Sequence, residues 1–468
     1  MPPQLSKFIY ISCKEFSHPW SDDCLSATTG LGLHSLQECL RIYTTVYIVA
    51  LLMKGKVPSK GDVKKTILGI LQSTAFLSWS AFSYSMFICT LRRVLGNFNV
   101  LSVSFLPSFL SSLSAIFIER PSRRTLLCLY VSNVATETLY KLGLSRGYYT
   151  SIPNGGTYIF AISIALLLYF YRSKTNQQDS IYRILRILVG KYEETDYLKN
   201  NLNCETQAYF TSESSSKSSI ENCDVNKKPH KKNLNIFMKS LEIYRRIIEK
   251  IKLRGKHISC PHPFSCAHYI LMGGMEVFNY ALCAQLAINL FFNIKKVIKK
   301  PLLIKSIIFK KSNLNLAVFL GGFAGLYRLL SCSLRRFLQK DSSYYAIPAA
   351  LISGLTFMSY SSNTIALYFM WKALQLLWND LVEKKIVPEV KGFAIFLYCF
   401  STAVLFHVAI LEPQFLRSSY WKFLYSISGG RVAVMSRLPL DAFGLESSKH
   451  LADVLRKTNT TDKRTYFF

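Results

Sequence analysis

Apolar positions along this 468-residue chain gather into long unbroken windows, not into the alternation of a strand or the narrow stripe of a soluble helix. The windows lie at about 35–53, 66–91, 100–118, 125–142 and 156–172, and again at about 269–292, 314–334, 345–358, 364–378 and 392–411. A helix rises about 1.5 Å per residue, so roughly 20 apolar residues cross a hydrocarbon layer about 30 Å thick. The pattern therefore predicts an all-α, polytopic helical membrane protein with about ten hydrophobic helices. Window 125–142 is the weakest of them.

Between the two series, 174–230 turns to Gln, Asn, Ser, Lys and Glu, and 212–219 consists of Ser, Glu and Lys. Such a stretch cannot bury enough apolar surface to fold and reads as a linker. Helical spacing returns at 235–255, where Ile236, Phe237, Leu241, Ile247, Ile248 and Ile251 alternate with Lys and Arg. That suits a helix lying in the membrane interface or packed on a partner protein. The expected organisation is a Cys/His-containing N-terminal region at 1–34, a first membrane half at 35–172 and a polar linker with its amphipathic helix at 173–256. A second membrane half at 257–411 and a non-membrane tail at 412–468 complete it.

The two halves repeat. Tyr84 precedes Cys89-Thr90-Leu91-Arg92-Arg93-Val94-Leu95, and Tyr327 precedes Cys332-Ser333-Leu334-Arg335-Arg336-Phe337-Leu338, every residue 243 positions after its counterpart. Each motif closes the second long window of its half and is followed by a helix with an early proline, Pro107 or Pro348. Five crossings per half would set the halves in opposite orientations, as in many secondary transporters. Yet loops 54–65 and 295–311 are both basic, and the positive-inside rule would put them on one side. Either 125–142 or 364–378 does not cross, or the membrane does not follow that rule.

Composition fits this picture, with 50% hydrophobic residues and a mean hydropathy of +0.20. The formal charge of +30, from 57 Lys and Arg against 27 Asp and Glu, would suggest nucleic acid in a soluble protein. Here the basic residues flank the windows, as at Arg92, Arg93, Arg120, Arg123 and Arg124. They meet anionic headgroups, so membrane lipids are the expected partner and nucleic acid is not. Residues 1–18 have no continuous apolar core, so no secretory signal is expected. Residues 465–468 match neither a peroxisomal nor an ER-retention tail, and targeting is expected to be internal.

Charges inside apolar windows are the first candidates for function: Glu137, Glu276, Arg328 and Lys372, with Glu38 and Arg41. Most lie near a helix end, where a long side chain snorkels to water. Glu137 and Arg328 are opposite in sign and lack an easy exit, and are expected to pair across the bundle or to line a polar path. Gly321-x-x-x-Gly325 and Ala350-x-x-x-Gly354 have the spacing of close helix packing. Cys13, His18 and Cys24 precede the first window, and Cys260, His262, Cys266 and His268 precede the sixth. These are zinc-binding residue types, but paired C-x-x-C spacing is missing and lipidated cysteines would look the same, so no metal or cofactor is expected. Cys89, Cys128, Cys283, Cys332 and Cys399 lie inside the windows and read as small hydrophobes. Without a P-loop, a nucleotide-binding glycine run, H-E-x-x-H or G-x-S-x-G, no enzymatic activity is expected.

Three strings, Ile118-Glu119-Arg120-Pro121-Ser122-Arg123-Arg124, Ala135-Thr136-Glu137-Thr138-Leu139 and Leu185-Arg186-Ile187-Leu188-Val189-Gly190-Lys191, are followed by Ser419-Tyr420-Trp421-Lys422-Phe423-Leu424, Ala433-Val434-Met435 and Ser448-Lys449-His450. On these strings, in this order, the chain resembles the transmembrane protein 135 family. The resemblance implies a multi-pass protein of peroxisomal and mitochondrial membranes, involved in mitochondrial fission/fusion balance, peroxisome organisation and fatty-acid and sterol homeostasis. The size and charge of the non-membrane parts, the basic helix at 235–255 and the tail, make organelle fission machinery an expected partner. The alternative, motivated by the repeat and the intramembrane charges, is a transporter or scramblase moving lipids or acyl species. The second half, with Gly321-Gly322-x-x-Gly325, Arg328 and the Pro348 helix, is also distantly similar to the four-helix channel proteins of the mitochondrial inner-membrane translocases. The linker at 195–232 is longer and more polar than the family pattern.

Overall fold

The structure, a computed structural model, describes residues 6–52, 58–173, 179–194, 236–253, 255, 257–300, 303–308, 310 and 312–462. Most of the polar linker and parts of loops 54–65 and 295–311 lie outside these residues. Among the described residues there is no strand; one isolated bridge joins Ile9 to Phe98. The main helices in chain order are α1 (Cys24–Leu52), α2 (Lys60–Leu95), α3 (Leu106–Ile116), α4 (Pro121–Ser145), α5 (Gly155–Ser173), α6 (Ser180–Val189) and α7 (Ile236–Leu253). They continue with α8 (Cys266–Lys299), α9 (Ser312–Leu338), α10 (Ala346–Gly354), α11 (Asn363–Glu383), α12 (Phe393–Leu411), α13 (Ser418–Ile427) and α14 (Ser447–Thr458). The all-α class stands. Five helices among the described residues, α2, α5, α8, α9 and α12, are long and apolar enough to cross a membrane.

Local chemistry sets several helix ends. Ser59 and Asp62 form a capping box at the start of α2, and Gly96, at φ 71°, closes it with its N–H on the Arg92 carbonyl. A π-helical turn, Leu101–Phe105, leads directly into α3, which carries Pro107 in its first turn.

The chain divides into two compact units, one of Met1–Ser151 with Lys384–Phe468 and the other of Ile152–Glu383. In unit 1, α1 packs on α2, α2 on α3, and α12 lies against α3 and α4. In unit 2, α8 packs on α9, while α5 lies against α10 and α11. The fifth helix of each repeated half therefore belongs to the unit built by the other half. Side-chain complementarity accounts for this. Phe160 of α5 stacks on Phe357 at 4.4 Å and meets Phe319 and Phe369 edge-on, whereas α12 presents Ser401 to Ser132 at 3.2 Å and Tyr398 to Phe76.

The residues after 412, read from sequence as a non-membrane tail, contribute Leu416, Tyr420, Trp421, Leu424, Leu451 and Val454 to the core of unit 1, beside Phe76, Tyr398 and Leu405. In unit 2, Gly321 and Gly325 face Gly274 of α8, and a Cβ on Gly321 would come within 2.7 Å of Phe278 Cβ. A Cβ on Gly354 would come within 2.8 Å of the Ala161 backbone. Ala350 is fully buried beside it on α10. Gly354→Val must push α5 away from α10, and a loss of about 1–3 kcal/mol is expected. Thermal denaturation of the full chain in detergent measures it, with Gly255→Ala, which meets only open space, as the neutral comparison.

Candidate functional site

Two clusters of thiols and imidazoles stand at equivalent places in the two units. In unit 1, Ser12 caps a single helical turn, Cys13–Phe16, which Phe16 anchors by packing edge-on against Phe98. The chain then turns through His18, whose Nδ1 bonds the Ser21 carbonyl at 3.0 Å, and enters α1 at Cys24. Cys89 reaches the same point from α2. The ligand atoms of Cys13, His18, Cys24 and Cys89 all lie within 4.8 Å of one another. His18 Nε2 is buried and has no hydrogen-bond partner among the described residues.

Unit 2 repeats the arrangement with Cys260, His262, Cys266 and Cys332, again within 4.8 Å. Cys260 Sγ and Cys266 Sγ are 3.8 Å apart, and Cys332 Sγ is 3.5 Å from His262 Nε2. His262 Nδ1 bonds the Phe264 carbonyl at 2.6 Å, and its ring stacks on Tyr269. Cys89 and Cys332 are the repeat-motif cysteines, which sequence reading took as small hydrophobes. His268 falls outside the set, its ring set edge-on to Phe264.

The clusters shift their own titrations. Cys89, and after it His18, hold the Cys13 thiol down at about 5 against the opposing effect of burial. The Cys13 sulfur in turn raises the His18 imidazole to about 9. In the second cluster Cys332, and after it His262, hold Cys260 at about 4.

Beside the second cluster lies a buried ion network. Arg335 Nη1 and Nη2 donate to Glu193 Oε1 and Oε2 at 2.8 and 2.7 Å, and its Nε donates to Asp341 at 2.8 Å. Arg172 pairs with Asp341 and lies 3.5 Å from Glu193. Two guanidiniums thus face two carboxylates. Burial pushes the Glu193 carboxyl up, but Arg335 and Arg172 outweigh it and hold it at about 2.

Residues 10–144, which include every member of the first cluster, match the family described as the N-terminal cysteine-rich region of Transmembrane protein 135. Over those residues, less than a third of the chain, it is similar to the transmembrane protein 135 family. No solved structure matches it.

The charges of the apolar windows find partners inside their own units. Glu137 and Arg328 do not pair with each other as expected: Glu137 lies in unit 1 and takes hydrogen bonds from Lys141, at 2.8 Å, and Arg417. Arg417 lies beyond the last apolar window, so the charges inside the windows do not reveal the pair. Arg328 lies in unit 2, its guanidinium 5.2 Å from the centre of the Tyr269 ring. It fits because Gly273 has no side chain there: a Cβ would stand 2.5 Å from Arg328 Cζ. Lys372 donates to Asp179 at 2.6 Å and to Gln375 at 2.9 Å, and Glu276 accepts from Tyr280 at 3.2 Å.

Unit 1 also holds a half-open cavity of about 150 Å³. Its walls carry Leu31, Phe76, Tyr84, Leu127, Tyr130, Tyr398, Phe406, Ile410, Tyr420, Phe423 and Leu424, with Ser17, Ser80, Ser85, Thr402, Ser428 and Arg431 as polar members. The Arg431 guanidinium lies 6.0 Å from the centre of the Trp20 ring.

Proposed function

We propose that this chain is a multi-pass protein of peroxisomal and mitochondrial membranes that binds a lipid inside unit 1. Through that lipid it acts, without enzymatic chemistry, in the fatty-acid and sterol homeostasis, fission/fusion balance and peroxisome organisation that the family resemblance implies. The observation that carries the lipid reading is the cavity: its walls are aliphatic and aromatic, with a few hydroxyls and one guanidinium among them. Part of a sterol or fatty acid, a segment of its apolar body, matches a half-open cavity of this size and chemistry, with the rest of the molecule outside it in the hydrocarbon layer. Crossing by α2, α5, α8, α9 and α12 is the topology that goes with this reading, the shorter apolar helices packing among them. Helix α7 leaves Arg245, Arg246, Lys250 and Lys252 exposed, a basic surface suited to anionic headgroups or to organelle fission machinery.

The test uses a photoactivatable sterol and a photoactivatable fatty acid on the full chain in nanodiscs. Crosslinks are expected to concentrate on α2, α4, α12 and α13 and to fall about tenfold, or about 1.4 kcal/mol, when Ala81→Trp fills the cavity. Crosslinks spread evenly over the membrane-facing surfaces and indifferent to Ala81→Trp would reject the reading.

The second reading, a transporter or scramblase for lipids or acyl species, is favoured by one observation. Two repeat-related units exchange their fifth helices, and internal repeats of this kind build many transporters. Proteoliposomes should then move a fluorescent fatty acid or phospholipid across the bilayer, and inert vesicles would remove this reading while leaving lipid binding intact.

A further inference from the structure

We propose that the two Cys3His clusters are metal sites, each holding one Zn²⁺ through three thiolates and one imidazole Nε2. This inference is independent of the lipid reading. A Zn–S bond of about 2.3 Å and a Zn–N bond of about 2.0–2.1 Å place tetrahedral ligand atoms about 3.8 Å apart for two sulfurs and about 3.5 Å apart for sulfur and nitrogen. Cys260 and Cys266 stand 3.8 Å apart, and Cys332 and His262 stand 3.5 Å apart. Two edges of the tetrahedron thus already have their coordinated lengths, and all four donors lie within 4.8 Å of one another.

The imidazoles are set for the task in both units. Each turns its Nδ1 onto a backbone carbonyl, of Ser21 or of Phe264, which leaves Nε2 with its lone pair toward the sulfurs. His18 Nε2 is buried without a hydrogen bond among the described residues, an orphan that a metal would satisfy. The same donor set, three cysteines and one histidine, is assembled twice from segments far apart in sequence, each time with its last member from the repeated Cys-x-Leu-Arg-Arg motif.

The donors select the ion. Thiolates with imidazole and no carboxylate suit Zn²⁺ and exclude Ca²⁺ and Mg²⁺, and four protein ligands leave no open position, so the sites are structural. On binding, every proton still held on the three sulfurs or on the imidazole Nε2 leaves to solvent, and three S–Zn bonds and one N–Zn bond form, leaving a complex of net charge −1. The ion then ties the segment ahead of the first helix of its half to the second helix, α1's approach to α2 in one unit and α8's approach to α9 in the other.

The experiment is elemental analysis of the full chain, purified in detergent with a reductant and without chelator. Two zinc ions per chain are expected, one in Cys89→Ser and in Cys332→Ser, none in the double variant, and two in Cys283→Ser, whose thiol is exposed outside both clusters. His262→Cys should keep its ion while His262→Ala loses it, which separates loss of a donor from loss of fold. Co²⁺ exchanged into the wild type should give the charge-transfer and d–d absorption of a tetrahedral thiolate centre. A metal-free wild type, zinc persisting in the double variant, or disulfides mapped among Cys13, Cys24 and Cys89 would each overturn the proposal.

Discussion

Glu193→Ala is expected to lower the stability of unit 2 by about 3–5 kcal/mol, because it leaves Arg172 and Arg335 facing a single carboxylate in a buried site. Hydrogen exchange followed by mass spectrometry should show protection lost in α5 and α9 and kept in α2 and α4. Glu193→Met combined with Arg335→Met removes one charge of each sign, leaves Arg172 with Asp341, and should recover most of the loss. Equal loss in the double variant would mean that packing, not charge, holds this place. The pH dependence has a definite sign. Glu193 titrates at about 2 when folded and near 4.5 when exposed, so its contribution of about 3 kcal/mol is complete above pH 4.5 and is lost as pH falls toward 2. The Glu193→Ala protein should lack that acid-labile component.

Trp421→Ala should cost unit 1 about 3–5 kcal/mol, since the indole is fully buried and its Nε1–H donates to Thr460 at 3.3 Å. Tyr420 and Leu424 beside it line the cavity, so the wall that α13 supplies should loosen with the core. Exchange is expected to rise in α4, α12 and α13 together. Trp421→Phe, which keeps most of the volume and loses the hydrogen bond, should cost less, about 1–3 kcal/mol. If only residues beyond 412 respond, the C-terminal segment is an appendage and not part of the core.

The helical class was legible because a lipid solvent leaves a coarse mark: a run of about 20 apolar residues matches the thickness of a bilayer and is longer than most soluble cores require. The clusters were legible in parts. Cys13, His18 and Cys24 attracted notice by residue type, and Cys89 by the repeat, but the two observations were kept apart because a cysteine inside an apolar window reads as a hydrophobe. Placing Cys332 with Cys260, His262 and Cys266 needed only the recognition that a ligand may arrive from the end of a long helix. The ion network was missed for another reason. Asp341 sits between two windows and Glu193 in the stretch that reads as a polar linker, where a charge is unremarkable; a short 3₁₀ turn, Lys191–Glu193, carries the carboxylate back into the protein. The expected pair of Glu137 with Arg328 failed because sequence order does not reveal which unit a helix joins.

That last point bears on how the chain is made. The helices α1 to α4 leave the ribosome early, but α12, against which α3 and α4 pack, follows α4 by about 250 residues. At about 5–20 residues per second the delay is on the order of 10–50 s. Throughout it the inner faces of α3 and α4 wait uncovered, while the intervening stretch supplies every helix of unit 2. Unit 2 is therefore the first to close, and a nascent chain cut short before Phe393 carries a finished second unit beside a first one that has no partner to finish it.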